Sequence, residues 1–313
     1  MRVSNSDGGT MFFRNLSLFR FPLTLAKPLA DLETALADCR LKPVGPMEPS
    51  SRGFVPPMGG DAEALVHGVG AARWLTLGGE DRLLPSSVVN AELEKRLAAK
   101  EEALGRKPGG KLRRQIKEDL IAELLPRAFV RPTRLDGMLD LKHGILAVDT
   151  SSRKQAENFA NELRHALGSF PALPLNAEVS PRALLTGWIA GEALPPGFAL
   201  GDECELKDPV DGGAVVKCQR QELLAEEVAK HLEAGKQVSK LALIFDDHVS
   251  FVLGEDLVLR KLKFLDGAVD QLESTERDDI LAELDARFAL MSAELARLFT
   301  ALETALKLSK PQD

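Results

Sequence analysis

Six of the residues from 105 to 117 are basic (Arg106, Lys107, Lys111, Arg113, Arg114 and Lys117) and none is acidic. Cations at this density suit a polyanion. Each lysine or arginine that meets a phosphate releases a condensed counterion, which gives affinity without sequence information. From residue 95 to residue 134, twelve Lys and Arg stand against five Asp and Glu, a net of +7. The 313-residue chain carries −7, so −14 lies elsewhere. A positive field set into an acidic chain steers a polyanion to one place and repels it from the rest. Charge alone is equally compatible with long, solvated surface helices, but the acid-free run favours nucleic acid.

Arg127, Phe129 and Arg131 alternate, so on extended backbone they share one face. Two readings are open. The aromatic ring wedges against bases, as apolar side chains do in architectural DNA binders, or it is a core Phe beneath snorkelling arginines. A rival chemistry is metal-dependent strand cleavage, which needs clustered carboxylates. Asp136, Asp140 and Asp149 are the best set for it, but they follow no motif. Asp246, Asp247 and His248 read as a hairpin turn rather than metal ligands. Five scattered histidines form no HxxxH pair, and Cys39, Cys204 and Cys218 contain no CxxC. No metal, cofactor or disulfide framework is therefore expected. Gly105, Gly110 and Lys111 match GxxxxGK, but Leu112 stands where a P-loop places Ser or Thr, and a charged helix, not a buried strand, precedes Gly105.

These groups must be held by local structure. Val89, Leu93 and Leu97, with Leu104 further on, and then Leu112, Ile116, Leu120 and Leu124, make two thin apolar stripes that predict helices over 88–104 and 111–125. Gly105, Pro108, Gly109 and Gly110 separate them, giving a helical hairpin with a basic tip. At 1.5 Å per residue the arms are about 25 and 22 Å long, so the hairpin is expected to project. Around it, strands are predicted at 12–21, 73–77 and 138–148, helices at 29–37 and 153–167, and a proline-stiffened loop or edge at 53–59. After a proline-rich boundary near 170–182 come strands at 197–206 and 214–217, a helix at 221–234 and a three-stranded meander at 238–264. The last helix is predicted over 275–307, where Leu281, Leu284, Phe288, Met291, Leu295, Leu298 and Leu302 form a seam for packing on its own domain or across a dimer.

The fold class is thus α+β: a tail at 1–10, a central domain over 11–82 and 127–172, a helical finger at 83–126 and an α+β base domain at 173–313. With 44% hydrophobic residues, 28% charged and no run approaching a membrane span, a cytoplasmic globular protein is expected. No Tyr, two Trp and 5% aromatic residues argue against a single-strand binder built on stacking platforms. No recognition-helix motif is visible, so backbone contacts to duplex DNA are expected.

The strings MFFRNL (11–16), GFVPPMG (53–59), LLPSSV (83–88), LLPRAF (124–129), LGSFPALPL (167–175), HLEAGKQVSKLAL (231–243) and RKLKF (260–264) resemble those of the bacterial RdgC family, in order and spacing, over nearly the whole chain. The ten residues before Met11 and the particular residues of the basic tip depart from the family pattern. The resemblance implies a homodimer closed into a ring around double-stranded DNA, nucleoid-associated, binding without marked sequence preference and restraining the RecA recombinase. It also implies that Arg127, Phe129 and Arg220 lie at positions tied to DNA contact or ring closure.

Overall fold

The computed structural model describes residues 12–26, 29, 32–59, 62–210, 212–266 and 280–309, so the tail at 1–10 and the predicted helix start at 275–279 lie outside the described residues. The fold is α+β, with antiparallel sheets and helices. Two compact units are formed. The larger comprises Met1–Asp38, Pro56–Leu75 and Leu135–Asp313, and the smaller Cys39–Val55 and Thr76–Arg134.

In the larger unit, β1 (Ser17–Arg20) pairs antiparallel with β6 (Ile145–Val148), which also takes the end of β5 (Phe129–Asp140) from Gly137 to Asp140. Two residues, β7 (Leu173–Pro174), add to the free side of β1. β3 (Val66–Val69) folds back on the start of β4 (Ala72–Leu83). Helices α1 (Leu32–Ala37) and α4 (Arg153–Leu167) pack together. Gly137 is glycine because Phe159 of α4 lies against it: a Cβ would sit 2.5 Å from the ring.

The predicted strand at 12–21 is shorter than expected, because residues 14–16 are used elsewhere. Leu16 exchanges backbone hydrogen bonds with Leu259 at 2.7 and 3.0 Å, and Arg14 O accepts from Leu262 N. They cover an edge of the second sheet, ordered β12-β11-β10-β8-β9. Its strands are β8 (Phe198–Lys207), β9 (Val215–Gln219), β10 (Gln237–Phe245), β11 (Val249–Gly254) and β12 (Leu259–Phe264). The predicted meander is β10–β12. Its first turn, the three residues between paired Phe245 and Val249, puts Asp246 and Asp247 both at positive φ, a region that Asp enters more readily than most residues. Helix α5 (Pro181–Ile189) begins at the end of the stretch read as a boundary, 170–182, where Pro181 opens a helix rather than marking a linker. Helix α6 (Glu226–Glu233) begins later than the predicted 221.

The C-terminal helix α7 (Ile280–Ala305) answers the seam question. Phe288, Met291, Leu295, Leu298 and Leu302 are all buried in the core of their own unit, with Leu16, Trp74 and Leu259. Phe288 stacks on Trp74 with centroids 5.6 Å apart. Leu281, at the helix start, is half exposed.

In the smaller unit β2 (Ser50–Val55) pairs with β4 from Ser50↔Asp81 to Val55↔Thr76. The string at 53–59 therefore begins as strand and leaves it at Pro56. Helices α2 (Ser86–Leu104) and α3 (Gly110–Leu124) follow, then a 3-10 turn (Leu125–Arg127) and the start of β5.

Candidate nucleic-acid interface

The two arms start and stop close to where the apolar spacing places them. Val89, Leu93, Leu97 and Leu120 form their buried seam, flanked by Ile116, Ile121 and Leu124. Each such side chain contributes roughly 1.5–3 kcal/mol by leaving water, enough to hold two helices of low apolar content together. Leu104, at the end of the first stripe, is exposed. Gly105 ends α2 in the left-handed region, φ 64°, where a Cβ would be strained. Helix thus precedes Gly105, which removes the strand-to-loop setting of a phosphate-binding GxxxxGK. Arg96 donates to Glu123 at 2.7 Å and Arg113 to Glu94 at 2.7 Å, tying one arm to the other. The Arg96 guanidinium, by hydrogen bond first and charge second, holds the Glu123 carboxyl below the usual carboxylate range.

The basic set divides by commitment. Arg113 is paired with Glu94, and Arg114 with Glu118 at 2.9 Å. Arg106, Lys107, Lys111 and Lys117 are exposed and take part in none of the ion pairs among the described residues. These four are available to phosphates without breaking a protein contact.

Arg127, Phe129 and Arg131 are exposed, and β5 begins at Phe129. Phe129 is 85% exposed, so the core alternative is excluded. Arg131 lies 3.7 Å from Asp81, which Arg52 holds at 2.5 Å. Nine of the ten predicted contact residues thus belong to the smaller unit. Arg220 belongs to the larger one, exposed at φ 54°, lining a cleft of about 760 Å³ with Asp202, Glu203, Lys261 and Lys263. Sequence patterning did not single out Arg82, which donates to backbone carbonyls of the 125–128 turn. A side chain that binds carbonyls leaves no spacing signal.

The three carboxylates weighed for metal chemistry are occupied structurally. Asp149 Oδ1 accepts from the backbone N–H of Arg14 at 2.9 Å and Asn15 at 2.8 Å. Asp136 accepts from Trp74 Nε1 at 3.1 Å. Asp140 accepts from the N–H groups of Lys142 and His143 and contacts His143 Nδ1 at 2.7 Å, with Thr300 Oγ1 3.0 Å from Nε2. Among the described residues no group of three or more His, Cys, Asp or Glu could hold a metal ion. Asp246 pairs with Arg297, and His248 lies 3.2 Å from Glu294.

Burial pushes the Asp149 carboxyl above its ordinary 3.8, the two N–H donors opposing and the Asp136 charge reinforcing the shift. The folded state therefore holds this proton more tightly than the unfolded one, and stability falls as pH rises through the interval above 3.8. Asp149→Asn keeps an oxygen for both N–H donors and removes the desolvated charge. Melting between pH 3 and pH 7 is expected to show the variant gaining on the parent as pH rises, with no difference in the most acid samples.

No helix among the described residues is long and apolar enough to cross a membrane. Comparison with known sequences places residues 11–309 within the family described as "Putative exonuclease, RdgC". The chain is 65% identical over 303 residues to the recombination-associated protein RdgC of Xanthomonas axonopodis pv. citri (strain 306), covering 96% of this chain and 100% of the relative. It is 64% identical to that of Xanthomonas oryzae pv. oryzae (strain MAFF 311018), with the same coverage. The protein of the same name from Stenotrophomonas maltophilia (strain R551-3) is 60% identical over 301 residues, covering 96% and 99%.

Proposed function

The chain belongs to the RdgC family, and from that premise we propose that it serves recombination as a non-enzymatic, sequence-tolerant binder of duplex DNA. The observation that carries the reading is the set of four uncommitted cations on and beside a hairpin tip, in a chain otherwise strongly acidic. Phosphate contacts of this kind fix a protein on DNA without reading bases. Arg113 and Arg114 add charge once displaced from their acidic partners, and Arg127, Arg131 and exposed Phe129 extend the contact face. Arg220, in the larger unit, is a separate proposed contact. The finger at 83–126, inserted in the chain of the central domain (11–82 and 127–172) and followed in sequence by the base domain (173–313), acts as the DNA-gripping element. Two copies close into a ring around the duplex, the assembly is associated with the nucleoid, and occupancy of the duplex restrains RecA.

The second reading is nuclease activity, which the family description favours. The occupation of Asp136, Asp140 and Asp149 by N–H donors counts against it. One experiment addresses both. A labelled duplex of random sequence is titrated with the protein and then incubated with magnesium or manganese, while light scattering reports the mass. Binding with intact strands and a dimer mass is expected. Metal-dependent products abolished by Asp140→Ala would establish the nuclease, and a monomer mass at micromolar concentration would remove the ring.

A further inference from the structure

Arg82 sits on β4, its own N–H donating to Pro49 O at 2.9 Å. Its guanidinium meets five backbone carbonyls from two separate segments. Nε donates to Gly45 O at 3.2 Å and Nη2 to Val44 O at 3.5 Å. Nη1 lies between Leu125 O at 3.2 Å, Ala128 O at 3.3 Å and Pro126 O at 3.4 Å. The last three belong to the end of α3 and its 3-10 turn, where Leu125 O also accepts from Ala128 N–H at 3.1 Å and a cation is favoured by the helix dipole. No carboxylate pairs with Arg82 in the ion pairs among the described residues. Its charge meets carbonyl dipoles alone, and three of the five lie at the exit from the hairpin.

We propose that Arg82 is the positioning residue of the DNA contact face, holding the 125–128 turn so that Arg127 and Phe129 enter β5 in the orientation the duplex meets. The inference rests on the DNA-binding reading. Arg82 does not itself reach DNA, because its donors are already engaged with the chain. Its planar fork is what allows one side chain to span the 44–45 and 125–128 segments. A lysine ammonium, a compact group on a single stem, cannot reproduce that span.

The test is a double-mutant cycle in the full chain, with a fluorescein-labelled random duplex as the probe. Arg82→Gln and Phe129→Ala are each expected to weaken binding about tenfold, and the double variant less than twofold beyond either, since both act through the same ring. The salt slope of Arg82→Gln stays at the parent value, and Arg82→Lys does not restore affinity. Without DNA, hydrogen exchange of the amides at 127–131 is faster in Arg82→Gln, while those along the α2 seam keep their rates. If Arg82→Gln melts below the assay temperature, Arg82→Lys takes its place in the cycle. Losses that multiply to about 100-fold in the double variant would overturn the proposal. So would a slope lower by about one, which would make Arg82 a phosphate ligand, or unchanged exchange at 127–131. A parent protein that fails to bind the duplex would remove the DNA-binding reading, and the exchange comparison would still judge the role of Arg82 in the turn.

Discussion

Between 50 and 200 mM salt the affinity for a random-sequence duplex is expected to fall about 1,000-fold, the result of neutralising about six phosphates. On the proposed reading the ion pairs rank the residues responsible. Arg106, Lys107, Lys111 and Lys117 have no ion-pair partner among the described residues, so replacing all four by Ala is expected to lower the log-log slope by about 3.5. Arg113 and Arg114 must first leave Glu94 and Glu118. Exposed ion pairs of this type contribute only about 0–1 kcal/mol, so phosphate can displace them, but the gain is reduced. Arg113→Ala with Arg114→Ala therefore lowers the slope by up to about 2, less than the quadruple change. Exchanging the duplex sequence leaves both results in place. A slope unaltered in the quadruple variant would end the case for the hairpin tip as the binding element.

Phe129→Ala behaves in the opposite way, because it removes area and no charge. Binding is expected to weaken about tenfold, or 1.4 kcal/mol, with the salt slope unchanged. At 85% exposure, Phe129 leaves no cavity behind, so the melting temperature stays within a degree or two of the parent. Phe288→Ala is the contrast. That ring is 0% exposed and stacked on Trp74, and its loss costs about 3–5 kcal/mol, a large drop in melting temperature. Parallel melts and titrations of the two variants separate surface role from core role. A melting loss for Phe129→Ala as large as that for Phe288→Ala would contradict the exposed placement.

Periodicity made the hairpin readable because its seam is local: Val89, Leu93 and Leu97 lie on one helix and meet a neighbour only a short loop away. The same logic located α4, the β10–β12 meander and α7. It could not say where α7 packs, since a seam of Phe288, Met291 and Leu295 suits a dimer as well as a core, and only long-range contacts with Trp74 and Leu259 decide. Nor could alternation at Arg127, Phe129 and Arg131 reveal which side meets water. Burial is a property of what lies opposite. The strand at 12–21 was overextended for a similar reason, its first residues being drawn to Asp149 and to β12, both more than a hundred positions away. The basic tip was visible as composition, but its division into paired and uncommitted cations required the positions of Glu94 and Glu118.

At Gly53 the backbone of residues 40–41 lies so close that a Cβ would stand 2.4 Å from Leu41 N. Next to it, Phe54 is 1% exposed, donates to Cys39 O at 2.8 Å and accepts from Leu41 N at 3.0 Å. Here two main chains touch, and no side chain can be inserted between them. Gly53 and Phe54, which open the string GFVPPMG, are accordingly set by assembly rather than by a ligand. On the proposed reading, fold and binding are written in different places in this chain: replacing every lysine of the tip would leave the close approach at Gly53 in place.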